Sequence, residues 1–198
     1  MGKVSPNPVR TAVPSIEAAT LDADVVIEDD RWSTSPEIAA AVQSAVAALM
    51  AARPSGLPSA ASATIVLACD AVLASLNGRY RDKPTPTNVL SFPAGPGATE
   101  PGAPHHYLGD VVIAHETVAR EAVETGIPFV HHVQHLAIHG LLHLMDYDHI
   151  IDADATEMEA METRVLATLG VADPYLLSPA DPAQKIPDIP LVSPLKRS

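Results

Sequence analysis

Apolar residues along this chain follow two different rhythms. Ile38, Val42, Val46 and Leu49 recur at helical spacing behind Ser35 and Pro36, which suit a helix start. VVIED (25–29), TIVLAC (64–69), NVLSF (88–92) and LGDVVIA (108–114) are short, rich in β-branched residues and bounded by turn formers, which predicts four strands. A short helix is expected from Asp70 to Leu76, where Asn77 and Gly78 can end it, followed by an irregular crossing through RYRDKPTPT. The Pro/Gly segment PAGPGATEPGAPHH separates the third and fourth strands. A helix from about Glu116 to Glu124 stops at Gly126, and Pro128 opens FVHHVQHLAIHGLLHLM, the expected central helix. The last helix, roughly 153–169, carries Met158, Met161, Val165 and Leu169 on one stripe and ends at Gly170. Mixed elements with no regular βαβ repeat indicate an α+β fold, a roughly four-stranded mixed sheet packed with about five helices.

Composition sharpens the picture at the ends and in the choice of chemistry. Residues 1–20 carry three prolines and little periodicity, and 171–198 carry six, so both read as flexible tails around one domain spanning 21–170. No signal-peptide run opens the chain and no stretch reaches about 18 apolar residues, so the expected location is the cytoplasm, with no membrane partner. The single cysteine, Cys69, excludes an internal disulfide and a thiolate-rich metal site, and no disulfide-linked partner is expected. A net charge of −12 argues against a broad electrostatic grip on nucleic acid, so any such contact must be local. Arg79, Arg81 and Lys83 form the best local concentration of positive charge.

All nine histidines lie between 105 and 149, and HGLLHLMDYDH (139–149) holds three of them. His139 and His143, four apart on a helix, project from one face about 6 Å apart along the axis, a spacing two imidazoles can close around one ion. His149 follows a stretch where the helix can end, since Asp146 tolerates the left-handed conformation. Three nitrogens leave one tetrahedral position for water, the pattern of a catalytic zinc on a zinc-hydrolase-like helix. His135 lies about 12 Å along the axis from His143, too far to share the ion, and reads as a supporting or packing residue. A zinc peptidase would carry Glu directly after the first histidine as general base, and this chain has Gly140 there, a residue that allows close approach of another backbone, of substrate, or of a packed sheet. His115 follows a strand and has no assigned role.

These residues resemble a known family. HGLLHLMDYDH resembles the H-G-x-L-H-L-x-G-Y-D-H signature of the YbeY family, bacterial endoribonucleases of ribosomal RNA maturation. LNGRYRDKPTPTNVLSFP (76–93), LGDVVIA and EMEAMETRVLATLGVADPY resemble further segments of that family, covering roughly residues 64–175. Asn88 stands where the family usually has Asp, Pro86 lies in a slightly different loop, and Asp146 replaces a usual Gly. The resemblance implies an α+β fold, one zinc ion held by His139, His143 and His149 with water, and Arg81 as the functional arginine. It further implies cleavage of single-stranded RNA in precursor rRNA, chiefly 16S rRNA 3′-end processing, together with ribosome quality control and contacts to the ribosome or its proteins. Arg79 and Lys83 are candidates for added substrate contact, with His135 behind the metal ligands. The competing readings are a metal-dependent hydrolase of another substrate class and a non-catalytic ribosome-assembly factor with a structural metal.

Overall fold

The computed structural model describes residues 19–176, apart from 96, 100, 101, 104, 150 and 151. The tail predicted over 171–198 lies outside the described residues from 177 onward, as does all but the end of the segment predicted over 1–20. The elements in chain order are β1 (Thr20–Ile27), a 3-10 turn (Asp30–Thr34), α1 (Glu37–Ala51), β2 (Ala60–Ala68) and α2 (Asp70–Arg81). They continue with β3 (Val89–Pro93), β4 (His106–Ala114), α3 (His115–Thr125), α4 (Phe129–Leu144) and α5 (Asp152–Thr168). The fold is α+β, with a mixed sheet ordered β1-β2-β4-β3. β1, β2 and β4 run parallel, and β3 closes the sheet antiparallel to β4.

The alternation within the strands divides the interior in two. Ala61, Ala63, Ile65 and Leu67 of β2, Val89 of β3, and Val111 and Ile113 of β4 face a large core built with α1, α4 and α5. Leu90, Phe92, Val112 and Ala114 face the other way, into a smaller cluster closed by Leu73 of α2. A period of two therefore puts α2 and α4 on opposite sides of the same sheet. α4 runs through the middle of the larger layer, and every residue from His132 to Leu144 is buried. A helix apolar on all sides belongs inside, and the histidines of this one go in with it.

Two departures from the sequence reading have physical causes. The first strand begins at Thr20 and ends at Ile27, because its whole length pairs in register with β2, from Thr20 opposite Ala60 to Ile27 opposite Leu67. α2 does not stop at Asn77 and Gly78. Asn77 is buried and its side-chain amide donates to the Thr85 carbonyl at 2.8 Å, while Gly78 packs against Pro84, so both residues serve the returning loop. The helix ends instead at Asp82, which takes the left-handed conformation with φ 57°. Arg79 and Arg81 therefore stand on the last helical turn, and irregular chain begins only after them.

Gly140 is explained by packing. A Cβ there would overlap the Val111 Cγ1 atom and come within 3.2 Å of Ser91 Oγ. Ser91 donates its hydroxyl hydrogen to the Gly140 carbonyl at 3.0 Å, fastening α4 to the β3 and β4 strands at the missing side chain. Gly140→Ala is expected to cost about 1–3 kcal/mol of unfolding free energy through overpacking, read by urea denaturation. A variant as stable as the parent would contradict this close approach.

Candidate metal centre

The site begins with how α4 ends. Asp146 adopts φ 65°, its backbone N–H bonds the His143 carbonyl at 3.2 Å, and the Tyr147 N–H reaches back to the Leu142 carbonyl at 3.1 Å. This is a Schellman turn with aspartate in the left-handed position that glycine usually takes. The reversal folds residues 147–149 back along the helix end, with the Tyr147 hydroxyl anchored by Ser55 Oγ at 2.9 Å. The His149 ring thereby comes to 5.0 Å from His143 and 5.6 Å from His139, measured between centroids.

The three rings meet. His139 Nε2 and His143 Nε2 lie 3.1 Å apart, and one candidate ligand atom from each of His139, His143 and His149 lies within 4.8 Å of the others. Hydrogen bonding fixes which nitrogens carry protons. His143 Nδ1 sits 3.0 Å from the Tyr147 carbonyl, an acceptor only, so it donates. His139 Nδ1 sits 2.7 Å from Glu162 Oε1 and donates to that carboxylate. With both Nδ1 atoms so engaged, the two Nε2 atoms face each other, an arrangement in which a shared proton would make a hydrogen bond and a metal cation would take both lone pairs. Burial, reinforced by His139 and His149, pushes His143 down to about 3, so its own Nε2 stays unprotonated at neutral pH. A tetrahedral zinc with bonds of about 2.1 Å separates its nitrogens by about 3.4 Å, close to what the helix already provides.

Behind His139 stands a group that the sequence reading placed only in part. Glu162 of α5 is fully buried, receives His139 on one oxygen, and receives His135 Nε2 at 3.1 Å on the other. The Tyr175 hydroxyl donates to the same second oxygen. Burial alone would raise the Glu162 carboxyl, but the adjacent His139 and His135 outweigh it and hold the group well below its ordinary range. Burial first, and the Glu162 charge second, push the Tyr175 hydroxyl upward, so it stays a donor. Glu162 was legible only as one of many acidic residues in the last helix, and Tyr175 lay in a segment read as tail.

The remaining residues divide as follows. Arg81 is half-buried, and that burial lowers its guanidinium, while Arg79 and Lys83 are exposed. Arg79 and Arg81 stand in the last turn of α2 and Lys83 follows it, α2 being a helix packed on the other side of the sheet from α4. His115 packs edge-on to Trp32 at 4.9 Å and against Phe129 at 5.4 Å, an aromatic packing role. Asn88 is buried and donates to Glu121 at 3.0 Å, beside the 2.8 Å pair of Glu121 with His132. An aspartate there would set two carboxylates together, which accounts for the amide at this position. A cavity of about 190 Å³ beside the turn is lined by Ser55, Met145, Asp146, Tyr147, Asp148, Asp154 and Glu157.

Comparison with known proteins decides the lineage. The family model described as Endoribonuclease YbeY matches residues 26–170. The chain belongs to the YbeY endoribonuclease family. A relative named Endoribonuclease YbeY from Dinoroseobacter shibae is 45% identical over 171 residues, covering 80% of this chain and 93% of its own. Those named alike from Azorhizobium caulinodans and Cereibacter sphaeroides are 45% and 47% identical, covering 79% and 77% of this chain and 98% and 97% of theirs. A solution structure from Thermotoga maritima aligns with a TM-score of 0.46 at 17% identity, over 82% of this chain and 99% of that one. Among the described residues, no helix is long and apolar enough to cross a membrane.

The displaced titration of His143 fixes a pH dependence. Its folded value of about 3 lies below the ordinary 6.5, so between those values the unfolded chain binds the extra proton. Stability conferred by the neutral ring is complete above 6.5 and is lost as pH falls below it. Metal-free protein should lose up to about 1 kcal/mol per pH unit between roughly pH 6 and 5 from this group, measured by denaturant titration, and His143→Gln should flatten that slope. Equal slopes in the two proteins would contradict the buried neutral assignment.

Proposed function

We propose that the chain is a zinc-dependent, single-strand-specific endoribonuclease of ribosomal RNA maturation. One observation carries the metal part of this reading: two buried Nε2 atoms 3.1 Å apart, on rings whose Nδ1 atoms are each held by a hydrogen-bond acceptor, with His149 beside them. His139, His143 and His149 would hold one zinc, and nickel would accept the same donors. When bound, the ion supplies Lewis acidity to water or to a phosphoryl oxygen. Family membership supports RNA as the substrate class, and the resemblance already noted supports precursor rRNA, its 16S 3′ end, and delivery by the ribosome in the cytoplasm.

The chain's own groups have separable tasks in this reading. The guanidinium of Arg81 is planar and able to grip a phosphate through two parallel hydrogen bonds, offsetting charge that grows on it as the bond to the leaving oxygen lengthens. It stands in the last turn of α2 with Arg79, and Lys83 follows just beyond, a local concentration of positive charge that supports this role in an otherwise acidic chain. The acidic cavity beside the turn, with Asp146, Asp148, Asp154 and Glu157, disfavours phosphate on that side. With −12 overall, the chain should bind free RNA weakly and depend on a partner to present it. Gly140 leaves no carboxylate at the position where a zinc peptidase keeps its base, which disfavours peptide hydrolysis.

Purified protein should cut unpaired RNA and spare duplex RNA, and a chelator should abolish cutting. His143→Ala should remove activity, while Arg81→Ala should lower it about 100-fold and preserve metal binding. Undiminished cleavage in chelator and in His143→Ala would contradict the metal reading. Unfolding on chelation, with unchanged rRNA processing in Arg81→Ala cells, would favour a structural metal.

A further inference from the structure

An ionised carboxylate with no exposure is costly to bury, and Glu162 lies in an otherwise apolar stripe of α5 beside Met158, Met161, Val165 and Leu166. Packing alone would be served by another apolar side chain. What the carboxylate does that an apolar group cannot is accept hydrogen bonds without ever donating one. Each group touching it must present a proton: His139 Nδ1 at 2.7 Å, His135 Nε2 at 3.1 Å and the Tyr175 hydroxyl. The other tautomer of His139 would aim its N–H at His143 Nε2, 3.1 Å away, and cover the lone pair a cation needs.

The third donor is delivered by a second chain reversal. Gly170 takes φ 72°, and the Val171 N–H returns to the Leu166 carbonyl at 3.0 Å, turning the chain back along α5. Asp173 then staples it: one of its oxygens accepts from the Tyr175 backbone N–H at 2.9 Å and from Thr163 Oγ1 at 3.3 Å. Thr163 is the residue after Glu162, so the staple holds Tyr175 at the carboxylate. The ring of Tyr175 also meets that of His135 edge-on at 6.2 Å.

We propose that Glu162, steadied by Tyr175 and His135, is a positioning residue that holds His139 in the tautomer whose Nε2 faces the cation, and that residues 171–175 are thereby part of the working site. This rests on the reading of His139 as a ligand. A second ion among His135, His139 and Glu162 would require stripping the very proton that Glu162 receives from His139, in a pocket whose polar atoms already satisfy one another. Among the described residues, one ion site follows.

The test uses full-length ¹⁵N-labelled protein and needs no RNA. In metal-free wild type, imidazole ¹⁵N spectra should show His139 protonated at Nδ1. Glu162→Gln should populate the Nε2–H form and raise the zinc dissociation constant about 10- to 100-fold by chelator competition, with one ion bound per chain. Tyr175→Phe, which removes one hydroxyl from a partly exposed residue and serves if Glu162→Gln does not fold, should raise it about three- to tenfold. An unchanged tautomer with unchanged affinity in Glu162→Gln, two ions per wild-type chain, or no zinc binding at all would each overturn the proposal. Unchanged affinity in Tyr175→Phe would overturn the part given to residues 171–175. Wild type that binds zinc with this dependence yet leaves RNA intact would remove the nuclease reading and leave the positioning role standing.

Discussion

Two imidazole Nε2 atoms face each other across 3.1 Å, and neither ring is free to turn away, because each spends its second nitrogen on a fixed acceptor. His143 is held by the Tyr147 carbonyl and His139 by Glu162, both buried. The protein thus presents two ring nitrogens to one point, and much of the surrounding structure serves to keep them there. In that sense the electrostatics of the site are stored in hydrogen-bond direction rather than in net charge.

The architecture explains how such a contact is sustained. α4 is clamped to the sheet at Gly140, where the absent side chain admits Val111 and Ser91 bonds the backbone. Rigid seating of the helix is what gives the four-residue spacing of His139 and His143 its meaning, since a shift of one residue would swing both rings off the shared point. The third imidazole depends on Asp146, which accepts a left-handed backbone so that the chain can double back. A parallel device at Gly170 brings Tyr175 to Glu162, so two helix-terminating turns, one after α4 and one after α5, converge on the same cluster.

Much of this was legible in the sequence, for reasons that differ by residue. The strands and helices announce themselves by period, and the spacing of His139, His143 and His149 follows from helix geometry plus a turn-tolerant Asp146. The extent of α2 was not legible, because Asn77 and Gly78 are turn formers by local preference and are kept helical by contacts to Thr85 and Pro84, which form only once the following loop folds back on the helix. Glu162 and Tyr175 were hidden for a similar reason. Nothing distinguishes Glu162 from Glu157 or Glu159 until α5 is laid across α4, and Tyr175 sits in a Pro-flanked stretch whose packing depends on one aspartate, Asp173.

The convergence of three nitrogens on one cation can be seen most directly in an anomalous scattering map recorded at the zinc edge from crystals grown with the metal. The account predicts one peak per chain, within about 2.1 Å of a ring nitrogen from each of His139, His143 and His149, with the His139 Nδ1 still on Glu162. A peak elsewhere, or well-ordered rings in zinc-containing crystals with no peak among them, would contradict it.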